Sequence, residues 1–393
     1  MTSSATDVTA VILTGGSATR LRPLSVGCSK VMMPVFGKPL LESLLCDLSG
    51  SGLVREVLLT SPGQDNDIRL RFGDKTSDGL AIGYLSSRVW SGTAGAVLSA
   101  SCERPDALSS TSVIVYGDSI LRMDYGRLIE FHRSTRSSMT IACHRPPFEA
   151  FLFETGNAGL ARTNFGVAEL GQDGRVTRFE EKPVLKHIAA SFNDPVANAA
   201  VYVIDTTVLR RMPTPNAAQF DFAYHVIPWL VEHGEPVYGL EIAPGFRFDL
   251  GTLPHYLGVH LAALRGEVPV NVPGELLAPG IRIERGVQIH SKAVIVPPVF
   301  IGQGARLGSG CRLECCAIGE HTDIDENASV KNSVVLASSV IGAGAAVDAS
   351  VLGPHSTVGP GTTVPRGTVC SAWGLLGDPG LLPVPGAIKE LFK

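Results

Sequence analysis

Along the first two thirds of the chain, short apolar runs alternate with longer amphipathic ones. VTAVILT (8–14), VREVLLT (54–60), LAIGYL (80–85), TSVIVY (111–116) and MTIAC (139–143) have the length and aliphatic content of buried strands. Between them PLLESLLCDL, GAVLSASC and YGRLIEFHRS carry apolar residues at helical spacing. This alternation predicts a mostly parallel sheet with helices on both faces, and such sheets bind ligands beyond the carboxyl ends of their strands.

Past residue 280 the period changes to six. Ile283, Ile289, Ile295, Ile301, Leu307 and Leu313 are spaced by six residues without exception. The series continues as Ile318, Ile324, Val330, then Val335, Ile341, Val347, then Leu352, Val358, Val364, each triplet starting five residues after the last. Gly302, Gly319 and Gly353 follow the first apolar position of their turns. Three hexads shortened by one residue close a turn of a parallel β-helix, each strand pointing one aliphatic side chain into a narrow prism. The aromatic residues agree, since only Phe300, Trp373 and Phe392 lie beyond residue 269. GEVPVNVPGELLAPG (266–280), rich in Pro and Gly and without sustained periodicity, reads as a linker. The expected organisation is a first domain over 1–265, a linker over 266–280, a β-helix over 281–370 and a tail over 371–393. AIKELFK, at the end of that tail, is a candidate amphipathic cap for the open end of the β-helix.

Composition narrows the classes. A chain of 393 residues suggests two or three domains, and 45% hydrophobic against 18% charged residues is enough for full cores. Lys and Arg number 33 and Asp and Glu 37, a balance that argues against broad electrostatic capture of nucleic acid. No apolar run approaches the ~18 residues of a membrane span, and the polar start MTSSATDVTA lacks the features of a secretory signal. A cytoplasmic protein is expected. Cys311, Cys315 and Cys316 crowd together without a paired CxxC spacing, so reduced thiols are expected, with Cys311 pointing into a core.

Candidate chemistry begins after the first strand, in Leu13-Thr14-Gly15-Gly16-Ser17-Ala18-Thr19-Arg20. A Gly-rich turn there lets backbone N–H groups approach phosphate oxygens. Neither GxxxxGK[ST] nor GxGxxG is present. Arg20 and Lys30 can bring two positive charges to the same phosphates, and a tight turn flanked by solvated cations is the competing reading.

With SKVMMPVFGKP (29–39), the loop GGSATRLRPL resembles the signature of the sugar-phosphate nucleotidylyltransferases, GGxGTRLxPLT followed by KPxxPVxxKP. SGTAGA (91–96), YGDS (116–119), FEEKP (179–183), NAAVY (198–202) and GFRFDLGT (245–252) follow in the family's order. The likeness runs from about residue 8 to 264, and an added β-helix is similar to the layout of mannose-1-phosphate guanylyltransferases. The resemblance implies an α/β fold: a Rossmann-like nucleotidyltransferase domain with a mostly parallel sheet, then a left-handed parallel β-helix.

It further implies that a nucleoside triphosphate is joined to a sugar 1-phosphate, with release of pyrophosphate. By resemblance Arg20 and Lys30 contact the transferring and leaving phosphates, and Asp118 and Asp249 hold Mg²⁺. Leu13, Gly15, Gly16, Ser17, Ala18, Thr19, Arg20, Gly92 and Thr93 would surround the nucleotide. Gly166, Glu181, Lys182 and Asn198 would surround the sugar phosphate. GTP leads among the nucleotides, ahead of dTTP, UTP and ATP. A homo-oligomer, dimer or tetramer, assembled through the β-helix is expected, with no nucleic-acid or membrane partner.

Two family glycines are replaced, by Ala18 in GGxGTR and by Ala200 in NAGxY. One reading is an enzyme for an unusual sugar phosphate or a sugar-like cyclitol phosphate. The other is a catalytically weak paralogue that binds nucleotide sugar and regulates a partner. Retention of Arg20, Lys30, Asp118, Glu181, Lys182 and Asp249 favours the enzyme. Two further readings are disfavoured. An acetyltransferase would need a site around His290, His321 or His355, and nothing beside them marks one; a β-helix scaffold would predict decay of the N-terminal motifs.

Overall fold

A computed structural model describes residues 7–15, 19–26, 28–61, 66–86, 91–104, 106–145, 162–212, 219–242, 246–268 and 270–377. Gly16, Ser17, Ala18 and the AIKELFK tail lie outside the described residues. By internal contacts the chain forms two compact units, Met1–Gly16 with Leu41–Arg247, and Ser17–Leu40 with Phe248–Lys393.

Before the β-helix the strands are β1 (Val8–Leu13), β2 (Pro34–Val35), β3 (Lys38–Pro39), β4 (Val54–Ser61), β5 (Ala81–Ser86), β6 (Thr111–Tyr116), β7 (Ser119–Arg122), β8 (Met139–His144), β9 (Val167–Leu170), β10 (Val176–Glu180), β11 (Pro195–Asp205), β12 (Val237–Glu241) and β13 (Phe246–Asp249). The helices are α1 (Leu40–Gly50), α2 (Asn66–Phe72), α3 (Thr93–Glu103), α4 (Tyr125–Thr135), α5 (Leu185–Ser191), α6 (Thr207–Arg211), α7 (Ile227–Glu232) and α8 (Leu253–Leu264). The five apolar runs read as strands are β1, β4, β5, β6 and β8, and the three amphipathic stretches are α1, α3 and α4.

In the first unit, β5-β4-β1-β6 form a parallel core, in which β1 is buried at all six positions. A strand covered on both faces reads as a continuous apolar run for this reason. Beyond β6 the sheet is mixed: β11 runs antiparallel to β6, β8 and β9, while β12 is parallel to β8. The chain passes from β1 to β4 and β5 on one side and returns to β6 on the other. The carboxyl ends of β1 and β6 therefore flank the point where the winding reverses, where open α/β sheets bind ligands. On α4 the Asp124 side chain accepts from Arg127 N at 2.9 Å and caps the helix. Leu128, Ile129 and His132 share its buried face, and His132 Nδ1 meets Thr140 Oγ1 at 3.0 Å.

The second unit contains short strands from β14 (Glu275–Ala278), which lies inside the 266–280 stretch, to the strand Leu375–Leu376. They stack in parallel, except that β14 is antiparallel to the following Ile281–Ile283 strand. The six-residue period resolves into three ladders. Leu307, Ile324, Ile341 and Val358 form one, and Leu313, Val330, Val347 and Val364 another. Ile301, Ile318, Val335, Leu352 and Cys370 form the third. All of these are buried, whereas Ile289, on the first strand of its ladder with no described strand paired beneath it, is 37% exposed. Gly302 and Gly319 mark close stacking: a Cβ on either would sit 2.6 Å from a backbone nitrogen of the next coil. Cys311, Cys316 and Cys370 are free thiols within this core, and burial pushes all three up.

Phe300 is the large ring that a narrow prism excludes, and it packs elsewhere in the unit. It meets Phe36 edge-on at 5.3 Å between centroids, and Phe36 also meets His260 of α8 at 4.9 Å. His260 donates from Nδ1 to the Tyr256 carbonyl at 2.8 Å and accepts from Phe36 N at 3.4 Å, so its ring is held neutral. Among the described residues no helix is long and apolar enough to cross a membrane.

Candidate active site

Three segments converge at the carboxyl end of the parallel strands in the first unit. Thr14, just past β1, is pinned to β4 by two bonds to the Thr60 carbonyl, from its N at 3.1 Å and its Oγ1 at 2.9 Å. Gly15 follows and is exposed. Gly117 N donates to the Leu13 carbonyl at 3.1 Å, which seats the β6–β7 turn against the end of β1. That turn carries Asp118, half-buried. Tyr116, paired in register with Leu13, donates its hydroxyl to Thr93 Oγ1 at 3.0 Å. Leu13, Gly15, Gly92, Thr93 and Asp118 thus share one edge of the sheet.

The start of α3 is built rather than open. Gly92 has φ +86, and a Cβ there would fall 2.5 Å from the Phe220 carbonyl oxygen, so glycine is required twice over. Thr93 N donates to Asp221 Oδ1 at 2.9 Å, Gly95 N to the Phe220 carbonyl at 2.8 Å and Ala96 N to the Gly92 carbonyl at 2.9 Å. Most of the first-turn donors are therefore occupied by this unit's own chain.

Gly166, Glu181, Lys182 and Asn198 form a second group in the same unit. Asn198 N donates to the Gly166 carbonyl at 2.8 Å, and a methyl on Gly166 would meet Glu181 Oε2 at 2.5 Å and the Phe179 ring at 2.6 Å. Lys182 is exposed, with φ +49, and its carbonyl accepts from Arg162 Nη1 at 3.2 Å. Asn198 is only 4% exposed, and both ends of its amide serve its own strand. Nδ2 donates to Tyr202 Oη and Oδ1 accepts from Ala200 N, each at 2.8 Å. Its side chain therefore shapes this group from behind.

Between Asn198 and Tyr202 the register of β11 with β8 slips, and Ala200 in that bulge has φ +56. The replaced glycine at 200 is thus one whose backbone does favour glycine. Ala18, the other replacement, lies outside the described residues.

Arg20, Lys30 and Asp249 belong to the second unit. Arg20 is exposed in the turn Thr19–Leu21, while Lys30 opens the turn Lys30–Met32 and is 9% exposed. Asp249 closes β13. Among the described residues no group of three or more His, Cys, Asp or Glu could hold a metal ion. His321 and His355 occupy left-handed corner positions of the β-helix, and His355 stacks on Trp373 at 4.1 Å.

Sequence reasoning missed Asp221, Tyr202 and Tyr224. Asp221 pairs with Thr93 across 128 positions, and Phe222–Val226 is a π-turn, which helical periodicity does not reveal. Tyr224 is 55% exposed, and the covering of the rest of its ring, followed by the carboxylates of Glu181 and Asp221, pushes its phenol up, with Arg162 opposing. Glu181 and the π-turn are thus electrostatic neighbours.

The family model described as Nucleotidyl transferase matches residues 9–266, and the model of the GMPPB C-terminal domain matches residues 277–375. The chain is 28% identical over 309 residues to the mannose-1-phosphate guanylyltransferase of Mycobacterium tuberculosis, covering 76% of each chain. It is 29% identical over 293 residues to the valienol-1-phosphate guanylyltransferase of Streptomyces hygroscopicus subsp. limoneus, covering 66% of this chain and 73% of the relative. It is 25% identical over 333 residues to a UTP–glucose-1-phosphate uridylyltransferase of Synechocystis, covering 75% and 80%. With its ordered motifs, parallel core and β-helix, the chain belongs to the sugar-phosphate nucleotidyltransferase family of enzymes.

Proposed function

We propose that the protein joins GTP to the 1-phosphate of a sugar or sugar-like cyclitol and releases pyrophosphate. The observation that carries this reading is the convergence of Leu13, Thr93 and Asp118 where the winding of the sheet reverses, with the Gly166–Glu181–Lys182–Asn198 group in the same unit. GTP is favoured because two of the relatives above are guanylyltransferases, and valienol 1-phosphate, which appears in the name of one of them, is a cyclitol phosphate. The relatives lend no support to a regulatory paralogue.

The reaction needs no protein nucleophile. An oxygen of the sugar phosphate forms a bond to the α-phosphorus while the bond from that phosphorus to the bridging oxygen of the β-phosphate breaks. The electron pair leaves with pyrophosphate. What the chain contributes is alignment and neutralisation of charge. Arg20 and Lys30 carry the positive charge assigned to the transferring and leaving phosphates. The backbone past β1 and at Gly92–Thr93 would receive the nucleotide, and Glu181 and Lys182 the sugar phosphate.

Asp118 and Asp249 supply hard oxygen donors, and so small a set fits Mg²⁺, which keeps waters and substrate oxygens in its shell. Held there, the ion would draw negative charge off the reacting phosphates. The β-helix is assigned to homo-oligomer assembly.

The test measures pyrophosphate release with Mg²⁺, each nucleoside triphosphate in turn, and a panel of sugar and cyclitol 1-phosphates. Release with GTP and one acceptor is expected. Release only with another nucleotide would overturn the GTP assignment, and silence across the panel would overturn the whole reading. Asp118→Asn should lower turnover by roughly 100-fold or more while leaving the oligomer intact. Near-normal activity in that variant would remove Asp118 from the metal site.

A further inference from the structure

Asp221 stands at the N-terminal edge of the π-turn with an extended backbone (φ −119, ψ 146), yet its carboxylate makes no capping bond to that turn. Instead Oδ1 accepts from Thr93 N at 2.9 Å and from Thr93 Oγ1 at 3.1 Å. Thr93 Oγ1 in turn accepts from Phe222 N at 3.0 Å and from the Tyr116 hydroxyl. Backbone bonds run along the same seam: Phe220 N to the Ser91 carbonyl at 2.9 Å, and Gly95 N to the Phe220 carbonyl.

The stretch pinned at this end reaches the other group of the site through its next residue. Phe222 packs on Tyr202 at 5.4 Å between centroids, and Tyr202 Oη accepts from Asn198 Nδ2. Asn198 N is bonded to the Gly166 carbonyl, beside Glu181. A continuous path of packed rings and hydrogen bonds thus joins Thr93 to Asn198, all within the first unit.

We propose that Asp221 is a positioning residue that sets the nucleotide side and the sugar side of the site together, by clamping the 219–222 stretch to the start of α3. The identity of the two sides rests on the function proposed above. The clamp works through acceptor geometry and not through charge transfer or metal binding. An amide oxygen at 221 could therefore replace the carboxylate, whereas a methyl group could not. Coupling of this kind makes each substrate's affinity depend on the same bond.

Asp221→Ala should raise KM about tenfold for both the nucleoside triphosphate and the acceptor phosphate, with a smaller fall in kcat; tenfold corresponds to ~1.4 kcal/mol. Asp221→Asn should hold both KM values within about threefold of the parent, since a neutral acceptor keeps roughly half of such a bond. Hydrogen exchange of the substrate-free protein supplies a second reading. In Asp221→Ala, exchange should quicken at Thr93 and also at Ala200, whose amide is held by Asn198. The proposal is overturned if Asn is as damaging as Ala, if only the nucleotide KM moves, or if faster exchange stays within residues 92–96 and 219–222. Should the parent protein release no pyrophosphate with any pair, the functional reading falls, while the exchange data still decide the coupling.

Discussion

Ala200 shows how much one residue can conceal. In sequence it is a methyl group where the family pattern NAGxY has glycine. In the structure it occupies a left-handed position in a buried bulge, with its N–H held by the Asn198 side chain. A non-glycine residue there costs about 1–2 kcal/mol, while its buried methyl returns roughly 0.8 kcal/mol. Ala200→Gly should therefore change stability by less than ~1 kcal/mol. Ala200→Val should cost more than ~2 kcal/mol, because a β-branched side chain fits the left-handed region worst. Urea unfolding of both variants checks this. Valine tolerated better than glycine, as in an ordinary buried strand, would refute the left-handed assignment.

At the scale of elements, the six-residue period of the β-helix was legible in the sequence and the seam at α3 was not. Each coil repeats a local demand, one aliphatic side chain every six residues, so the pattern can be read without knowing what touches what. Depth along the stack still matters. Ile341 has coils on both sides and is fully buried, whereas Ile289 lies on the first strand of its ladder. Ile341→Ala should cost about 2–5 kcal/mol and Ile289→Ala under ~1.5 kcal/mol, measured as shifts of the urea midpoint. Equal costs would contradict the stacking order. The seam, by contrast, depends on Asp221 meeting Thr93 across 128 positions. Nothing local in QFDF signals that meeting.

For the whole molecule, two buried histidines set a shared response to acid. Desolvation lowers His132 to about 4, with Asp205 opposing, and lowers His260 to about 4, with the Tyr256 carbonyl opposing. In the unfolded chain both titrate near 6.5. Their folded pKa values are depressed, so as pH falls from 6.5 towards 4 the unfolded state takes up protons that the native state refuses. Stability is therefore lost over that window, by about 3 kcal/mol for each histidine. One histidine lies in each unit, so both units should melt at lower temperature at pH 4.5 than at pH 7.5. Calorimetry across that range, with His132→Gln and His260→Gln as controls that flatten the dependence, tests the assignment. A melting temperature that holds steady down to pH 4.5 would refute it.

By itself the sequence determined the class of fold, the switch from strand–helix alternation to a six-residue period, and the ordered motifs that place the chain in its family. These are local or repetitive features, and each is written in residues a few positions apart. Only the tertiary structure decided that Asn198 spends its side chain on a bulge, that Ala200 has a glycine-like backbone, and that α3 begins under the carboxylate of Asp221. Each depends on chain closure over tens to more than a hundred residues, where contacts are chosen by the packing of the whole sheet and leave no periodic trace.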